Sequence, residues 1–132
     1  MKLGKELVVT MPNKVGILAN ISKILADHGI NVEGVAGYAQ NNEAEIMIVA
    51  DDTLRAKEAL QKSGYKSIKE NEIVIVDLVN KPGALKEIGS KLASENIDLK
   101  YVYGTACPSG CPARLVLATS DNAKAVVAMK PK

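Results

Sequence analysis

Two short stretches carry residue types suited to holding a small anion: Asn13-Lys14-Val15-Gly16-Ile17-Leu18 and Asn80-Lys81-Pro82-Gly83-Ala84-Leu85. In each, an apolar run ends in a turn that opens directly into a helical pattern. The first N–H groups of such a helix have no intrahelical partner and lie at the positive end of its dipole, which suits a carboxylate or a phosphate. A Gly in the turn lets a ligand approach the backbone. Gly and Asn also serve a tight turn with no ligand at all, and the residue types alone weigh equally for both readings.

A second candidate is Cys107-Pro108-Ser109-Gly110-Cys111-Pro112, which falls in the turn of a hairpin. A cross-hairpin disulfide, a redox switch and half of a metal site completed by a second subunit all fit two cysteines so spaced. Two thiolates fill only half of the four positions of a structural zinc. Free thiols are the expectation, because no third ligand is near in sequence and a reducing compartment keeps most thiols reduced. His28 is the single histidine and falls in the last turn of the first helix, where interaction with the helix C-terminus accounts for it. No nucleophile and base pair and no Gly-x-Ser-x-Gly elbow is present, so the chain reads as non-catalytic, with no cofactor and no metal. Tyr101 and Tyr103 are two apart on a strand and share a face, which suits packing against a partner, the expected role, or lining a ligand pocket.

The elements that position these residues come in two copies. Adding 67 to each number from Asn13 to Gly37 reaches Asn80 to Gly104, with matches at Asn, Lys, Gly, Leu, Ile, Ala and Val positions. Two fused units of about 65 residues are therefore expected, 1–70 and 71–132. The strand Glu6 to Met11, a helix to about His28, a Gly-broken strand Ile30 to Gln40, the strand Glu45 to Ala50, a helix Thr53 to Lys62 and a polar strand Tyr65 to Glu70 make a β-α-β-β-α-β order. The order restarts at Glu72 to Val79, with a helix Leu85 to Glu95, a hairpin Asp98 to Ala106 and Arg114 to Thr119, and a last helix Asp121 to Met129. Leu54, Ala56, Ala59 and Leu60 are expected inside from the second helix, and Leu85, Ile88 and Leu92 from the third. No counterpart of Tyr65 to Glu70 follows, which predicts an uncovered edge.

The first and third strands of each unit are nearly continuous apolar runs and belong in the centre of the sheet. Right-handed crossovers then give the ferredoxin-like order 4-1-3-2, an α+β fold with both helices on one face. Apolar runs on a face without helices motivate a homo-oligomer, a dimer above all. The core must be aliphatic, since the 132 residues include no Phe, no Trp and four Tyr. A net charge of +2 with scattered Lys argues against a nucleic-acid partner, as does the lack of stacking aromatics on the central strands. No stretch approaches a membrane span or the apolar region of a signal peptide, so a cytoplasmic setting with no membrane partner is expected.

The pattern of strand, Asn-x-x-Gly-x-Leu, helix, then Gly-Ile-Asn-Val and a second strand resembles the ACT domain, here in tandem over nearly the whole chain. The resemblance implies a stand-alone regulatory module that binds a free amino acid, commonly at an interface between two such domains. It also implies action on an enzyme or transporter of amino-acid metabolism. Carried over by position, the ligand-binding residues are Asn13, Gly16, Ile17 and Asn31 in the first repeat and Asn80, Gly83, Ala84 and Asp98 in the second. The chemistry agrees with a zwitterion: N–H groups near Gly16 or Gly83 for the carboxylate, and Asn13, Asn31 or Asp98 as acceptors for the ammonium. The alternative is a redox- or metal-responsive protein sensing through the Cys107 and Cys111 hairpin.

Overall fold

The computed structural model describes residues 1–130. Its elements run β1 (Lys2–Pro12), α1 (Ile17–Asp27), β2 (Val32–Gln40), β3 (Glu43–Ala50), α2 (Thr53–Lys62), β4 (Ser67–Leu78), α3 (Ala84–Ser94), β5 (Leu99–Thr105), β6 (Ala113–Thr119) and α4 (Asn122–Ala128). They form two compact units, one of Lys5–Asn71 and one of residues 72–130 with Met1–Gly4. The fold is the α+β, ferredoxin-like arrangement that the strand polarity predicts.

In the first unit the strands lie in the order β2-β3-β1-β4, which is 4-1-3-2 read from the other edge. Register puts Leu7 opposite Ile48, Val9 opposite Ile46 and Met11 opposite Ala44, so these residues share one face. Onto that face α1 lays Ile17, Ile21 and Leu25, spaced by one turn, and α2 lays Ala56, Ala59 and Leu60. In the second unit β4, β6 and β5 are neighbours in that order, with Val74 opposite Leu117 and Val76 opposite Leu115. Val74, Val76 and Leu117 form a smaller core with Ile88, Leu92, Ala125 and Met129.

Helix ends follow the capping chemistry of the sequence. Asp52 accepts a hydrogen bond from the Arg55 N–H at 3.1 Å, and Asp121 accepts one from the Lys124 N–H at 3.0 Å. At the other ends Gly29 (φ 68°) and Asn96 (φ 55°) take the left-handed conformation that Gly and Asn adopt most readily. Paired bonds from Gly29 N to Ala26 O and Ile30 N to Leu25 O close one helix, and Asn96 N to Ala93 O and Ile97 N to Leu92 O close the other. His28 bonds through Nδ1 to the Ile24 carbonyl at 2.8 Å, the C-terminal role its position suggests.

Four expectations need correction. Leu54 and Leu85 are not core residues: they are 64% and 62% exposed, because each helix turns its Ala and later Ile or Leu positions to the sheet and leaves its first turn outside. The polar strand and the strand after it are one, β4, since Lys69-Glu70-Asn71-Glu72 contains no Gly or Pro to break it. The edge expected to lack a strand is covered: β1 neighbours β4, and its residues Met1–Gly4 group with the second unit, where a Cβ on Gly4 would touch the Ile75 side chain. Val8, Ile75 and Val116, on the opposite face of their strands from the helices, are buried within a single chain, so the apolar runs do not themselves require a second subunit.

Candidate functional site

Each Asn-x-x-Gly turn is built by a glycine in a conformation that only a residue without Cβ adopts comfortably. Gly16 (φ 93°) and Gly83 (φ 87°) are the N-caps of α1 and α3, both left-handed, and neither helix receives a side-chain cap. The first N–H groups of α1 therefore face outward from the turn, as an anion seat requires.

Beside each turn lies a cleft. The first, of about 430 Å³, is lined by Asn13, Lys14, Gly16, Ile17 and Leu18 from the turn and α1, by Val35 to Ala39 from β2, and by Ala44 and Ile46 from β3. The second, of about 230 Å³, is lined by Leu78 to Lys81, Ala84 and Leu85, by Gly104 to Ala106, and by Ala113 and Leu115. The two are the same place in the two units. Asn13 corresponds to Asn80, Lys14 to Lys81, Ile17 to Ala84, Leu18 to Leu85 and Gly37 to Gly104. Beyond the hairpins, Ala44 corresponds to Ala113 and Ile46 to Leu115, offset by two more residues because the Cys hairpin is longer. The exposed Leu18 and Leu85 thus have a common location, at the mouth of a cleft, which helical periodicity alone reads as core.

The structure brings Asn13, Gly16 and Ile17 together at the first cleft, and Asn80 and Ala84 at the second, with Gly83 in the chain between Lys81 and Ala84. It does not bring Asn31 or Asp98 there. Helix α1 is 11 residues long, about 16 Å at 1.5 Å per residue, and Asn31 follows its far end. Asn31 is engaged elsewhere, for its N–H donates to the Asp51 carboxylate at 3.1 Å and its carbonyl accepts from the Asp51 N–H at 3.0 Å. Asp98 does the same with Ser120, at 3.0 Å and 2.9 Å. Both close a loop at the end of the unit away from the cleft.

The clefts differ in what remains free. Asn13 is tied through its backbone N–H to the Asn42 carbonyl at 2.8 Å, and among the described residues its side-chain amide makes no hydrogen bond within the chain. Asn80 instead donates its side-chain amide to the Cys107 carbonyl at 3.3 Å, and the Ala84 N–H donates to the Lys81 carbonyl at 3.3 Å. Pro82, which stands where the first unit has Val15, has no N–H at all.

Cys107 and Cys111 are disulfide-bonded, with Cα atoms 5.2 Å apart, contrary to the free thiols expected. A Pro/Gly turn of this length brings the two Cβ atoms into the range a disulfide needs. Among the described residues no group of three or more His, Cys, Asp or Glu is placed to hold a metal ion. Tyr38 donates to the Glu45 carboxylate at 2.6 Å, on the face away from the helices. That bond, with smaller contributions from burial and from the charges of Glu45 and Glu43, raises its hydroxyl above the ordinary 10.0 and keeps it a donor. Tyr101 and Tyr103 stack on each other, with ring centroids 6.4 Å apart.

A further cleft of about 440 Å³ lies across the first turn, lined by Lys14, Ile17, Asn20 and the segment Ser63 to Ser67. Tyr65 donates to the Asn20 side-chain oxygen within it at 2.5 Å, and burial raises the Tyr65 hydroxyl above its ordinary value. Among the described residues no helix is long and apolar enough to cross a membrane.

Several solved structures share this fold. The crystal structure of protein BT0572 from Bacteroides thetaiotaomicron superposes with a TM-score of 0.88 at 23% sequence identity, covering 96% of this chain and 86% of that one. The ligand-free regulatory subunit of aspartate kinase from Thermus thermophilus does so with a TM-score of 0.70 at 15% identity, covering 96% and 89%. The corresponding subunit from Thermus flavus gives 0.64 at 16%, covering 96% and 91%. No curated protein matches the chain. The family model of the ACT domain matches residues 5–62, a segment that takes in the first turn, α1, both walls of the first cleft and α2.

Proposed function

We propose that this chain is a tandem ACT protein, with domains 1–70 and 71–132, that binds a free amino acid and acts by regulation rather than by catalysis. The observation that carries the reading is the first cleft. There an uncapped helix N-terminus, Lys14 and the unengaged amide of Asn13 surround an apolar recess, within the segment that matches the ACT domain. The ligand carboxylate sits at the N–H groups following Gly16 and near Lys14, and the ammonium is held by the Asn13 side-chain oxygen and by carbonyls of β2, an edge strand of its unit. Gly83, Ala84 and Asn80 form the weaker counterpart, since the Asn80 amide and the Ala84 N–H are already committed.

Regulation requires the ligand to bind one state more tightly than another. The reading supplies that state through a homo-oligomer, a dimer in the first instance. Its contact is the β2 edge, which leaves Val35 and Tyr38 exposed beside the cleft and Val32 exposed at the far end of the strand. The regulated partner is an enzyme or transporter of amino-acid metabolism in the cytoplasm. A thermal-shift screen of the twenty amino acids tests the reading. A ligand at a hundred times its Kd raises stability by about 2.7 kcal/mol, and the rise disappears in Gly16→Val. No shift with any amino acid at millimolar concentration overturns it.

One observation favours a second reading, in which the Cys107–Cys111 disulfide is a redox sensor. The Cys107 carbonyl holds the Asn80 side chain, so opening the hairpin would release a residue of the second cleft. A dithiol reductant that changes ligand affinity or assembly state in the native chain, but not in a Cys107→Ser, Cys111→Ser variant, supports this reading over a purely structural disulfide.

A further inference from the structure

The geometry points to an amino acid with a branched aliphatic side chain, of the valine, leucine or isoleucine kind, as the ligand of the first cleft. This rests on the amino-acid reading above and narrows it. Register places Val35 opposite Ile48, Gly37 opposite Ile46 and Ala39 opposite Ala44, so all three β2 residues lie on the face that carries α1. In that row Gly37 leaves a gap between two side chains. A Cβ built on it would come within 3.4 Å of Ile46 Cγ1 and of the Glu45 carbonyl, so Ile46 floors the gap at Gly37. Ile17 and Leu18 close it from the helix side.

The polar groups of the cleft lie at one end. Among the lining residues only Lys14 carries a charge, and it stands with Asn13 and Gly16 at the turn, where the ligand main chain sits. A lysine or arginine side chain over Gly37 would find no carboxylate, and an aspartate or glutamate side chain would compete with its own main-chain carboxylate for Lys14. Serine and threonine hydroxyls would find no side-chain partner there, because the Tyr38 hydroxyl is bonded to Glu45 on the other face. An aromatic ring would lie flat across the gap at Gly37, on the Val35 and Ala39 side chains that flank it, whereas a branched aliphatic chain enters the gap. What remains is an aliphatic side chain filling the place a residue at 37 would have taken.

Calorimetric titration of the full-length chain with glycine, alanine, valine, leucine, isoleucine, phenylalanine, serine, lysine and aspartate tests this. Valine, leucine or isoleucine is expected to bind at least tenfold more tightly than serine, lysine or aspartate. Gly37→Ala is expected to weaken leucine more than alanine, because its methyl takes up the recess. Val35→Asp, at a position 53% exposed, is expected to gain lysine as it loses leucine, which loss of the β2 contact alone would not do. A charged, hydroxylated or aromatic amino acid that binds the native chain as tightly as leucine overturns the side-chain assignment and leaves the amino-acid reading standing. Absence of binding by the whole series overturns both.

Discussion

The two clefts are built from equivalent positions and yet are not equivalent sites. The first has Ile17, Ile46 and an open Asn13; the second has Ala84, Leu115 and an Asn80 bonded to the Cys107 carbonyl. At about 430 Å³ the first falls in the range of small-molecule sites, and at about 230 Å³ the second falls below it. A duplicated fold has thus kept the backbone device, a left-handed Gly before a helix, while the side chains around it diverged. The backbone of the turn is a requirement of the fold, so it persists whether or not a ligand is bound. On the proposed reading, occupancy is decided by the groups the turn leaves free.

The comparison is broken or sharpened most strongly at the paired glycines of β2 and β5. A Cβ on Gly104 would collide with the Arg114 carbonyl and lie 2.6 Å from Leu115 Cδ2, whereas on Gly37 the nearest atoms are at 3.4 Å. Gly104→Ala should therefore cost about 3 kcal/mol in urea unfolding and Gly37→Ala well under about 1 kcal/mol. Equal costs would mean that the two strands approach β6 and β3 alike. Next is the disulfide, present in one hairpin only. Replacing Cys107 and Cys111 by Ser should lower stability by about 2 kcal/mol, the loop-closure entropy of so short a ring, and a melting curve unchanged by reductant would contradict this. Third are the caps. Gly16→Val and Gly83→Val should each cost about 1 to 2 kcal/mol through strain at positive φ. Ligand affinity should fall only in the first, and an equal fall in both would show two working sites.

The smallest effect is electrostatic. In the second unit Asp77 and Arg114 face each other across β4 and β6, bonded at 2.8 Å and 3.3 Å; in the first unit the same register holds Thr10 and Glu45. The hydrogen bond from Arg114, opposed by some burial and aided by the charges of Arg114, the N-terminus and Lys2, holds the Asp77 carboxyl below its ordinary 3.8. Its folded pKa is lower than its unfolded one, so the contribution is present above about pH 4 and is lost as pH falls through the depressed value. Both side chains are nearly half exposed, which limits the effect to under about 1 kcal/mol. Asp77→Asn should flatten the acid limb of the stability profile by that amount, and an unaltered profile would remove the pair from the account.

Most of the fold is legible in the sequence because it depends on local chemistry repeated twice. The caps at Asp52 and Asp121, the left-handed Gly29 and Asn96 and the central apolar strands all follow from residue type and spacing. The site is half legible. Asn13, Gly16 and Ile17 converge because they are sequence neighbours at a single turn. Position in a motif groups Asn31 with them, although an 11-residue helix in between already puts it at the far end of the unit. Leu54 and Leu85 look like core because periodicity identifies a helix face without saying where the sheet beneath it stops. The disulfide escapes the sequence because pairing depends on hairpin geometry as well as compartment.

The residues that complete the second unit, Met1–Gly4, run into the start of β1 and come from the opposite end of the chain. Gly4 meets Ile75 across ~70 residues of sequence, a loop as long as the one the first unit closes between Lys5 and Glu70, but one that spans the whole of the first unit. During synthesis the first unit emerges with all its strands, whereas the second must recruit residues made long before its own. An affinity tag fused ahead of Met1 would therefore burden the second unit, with its smaller cleft and its disulfide, and spare the unit that carries the proposed ligand site.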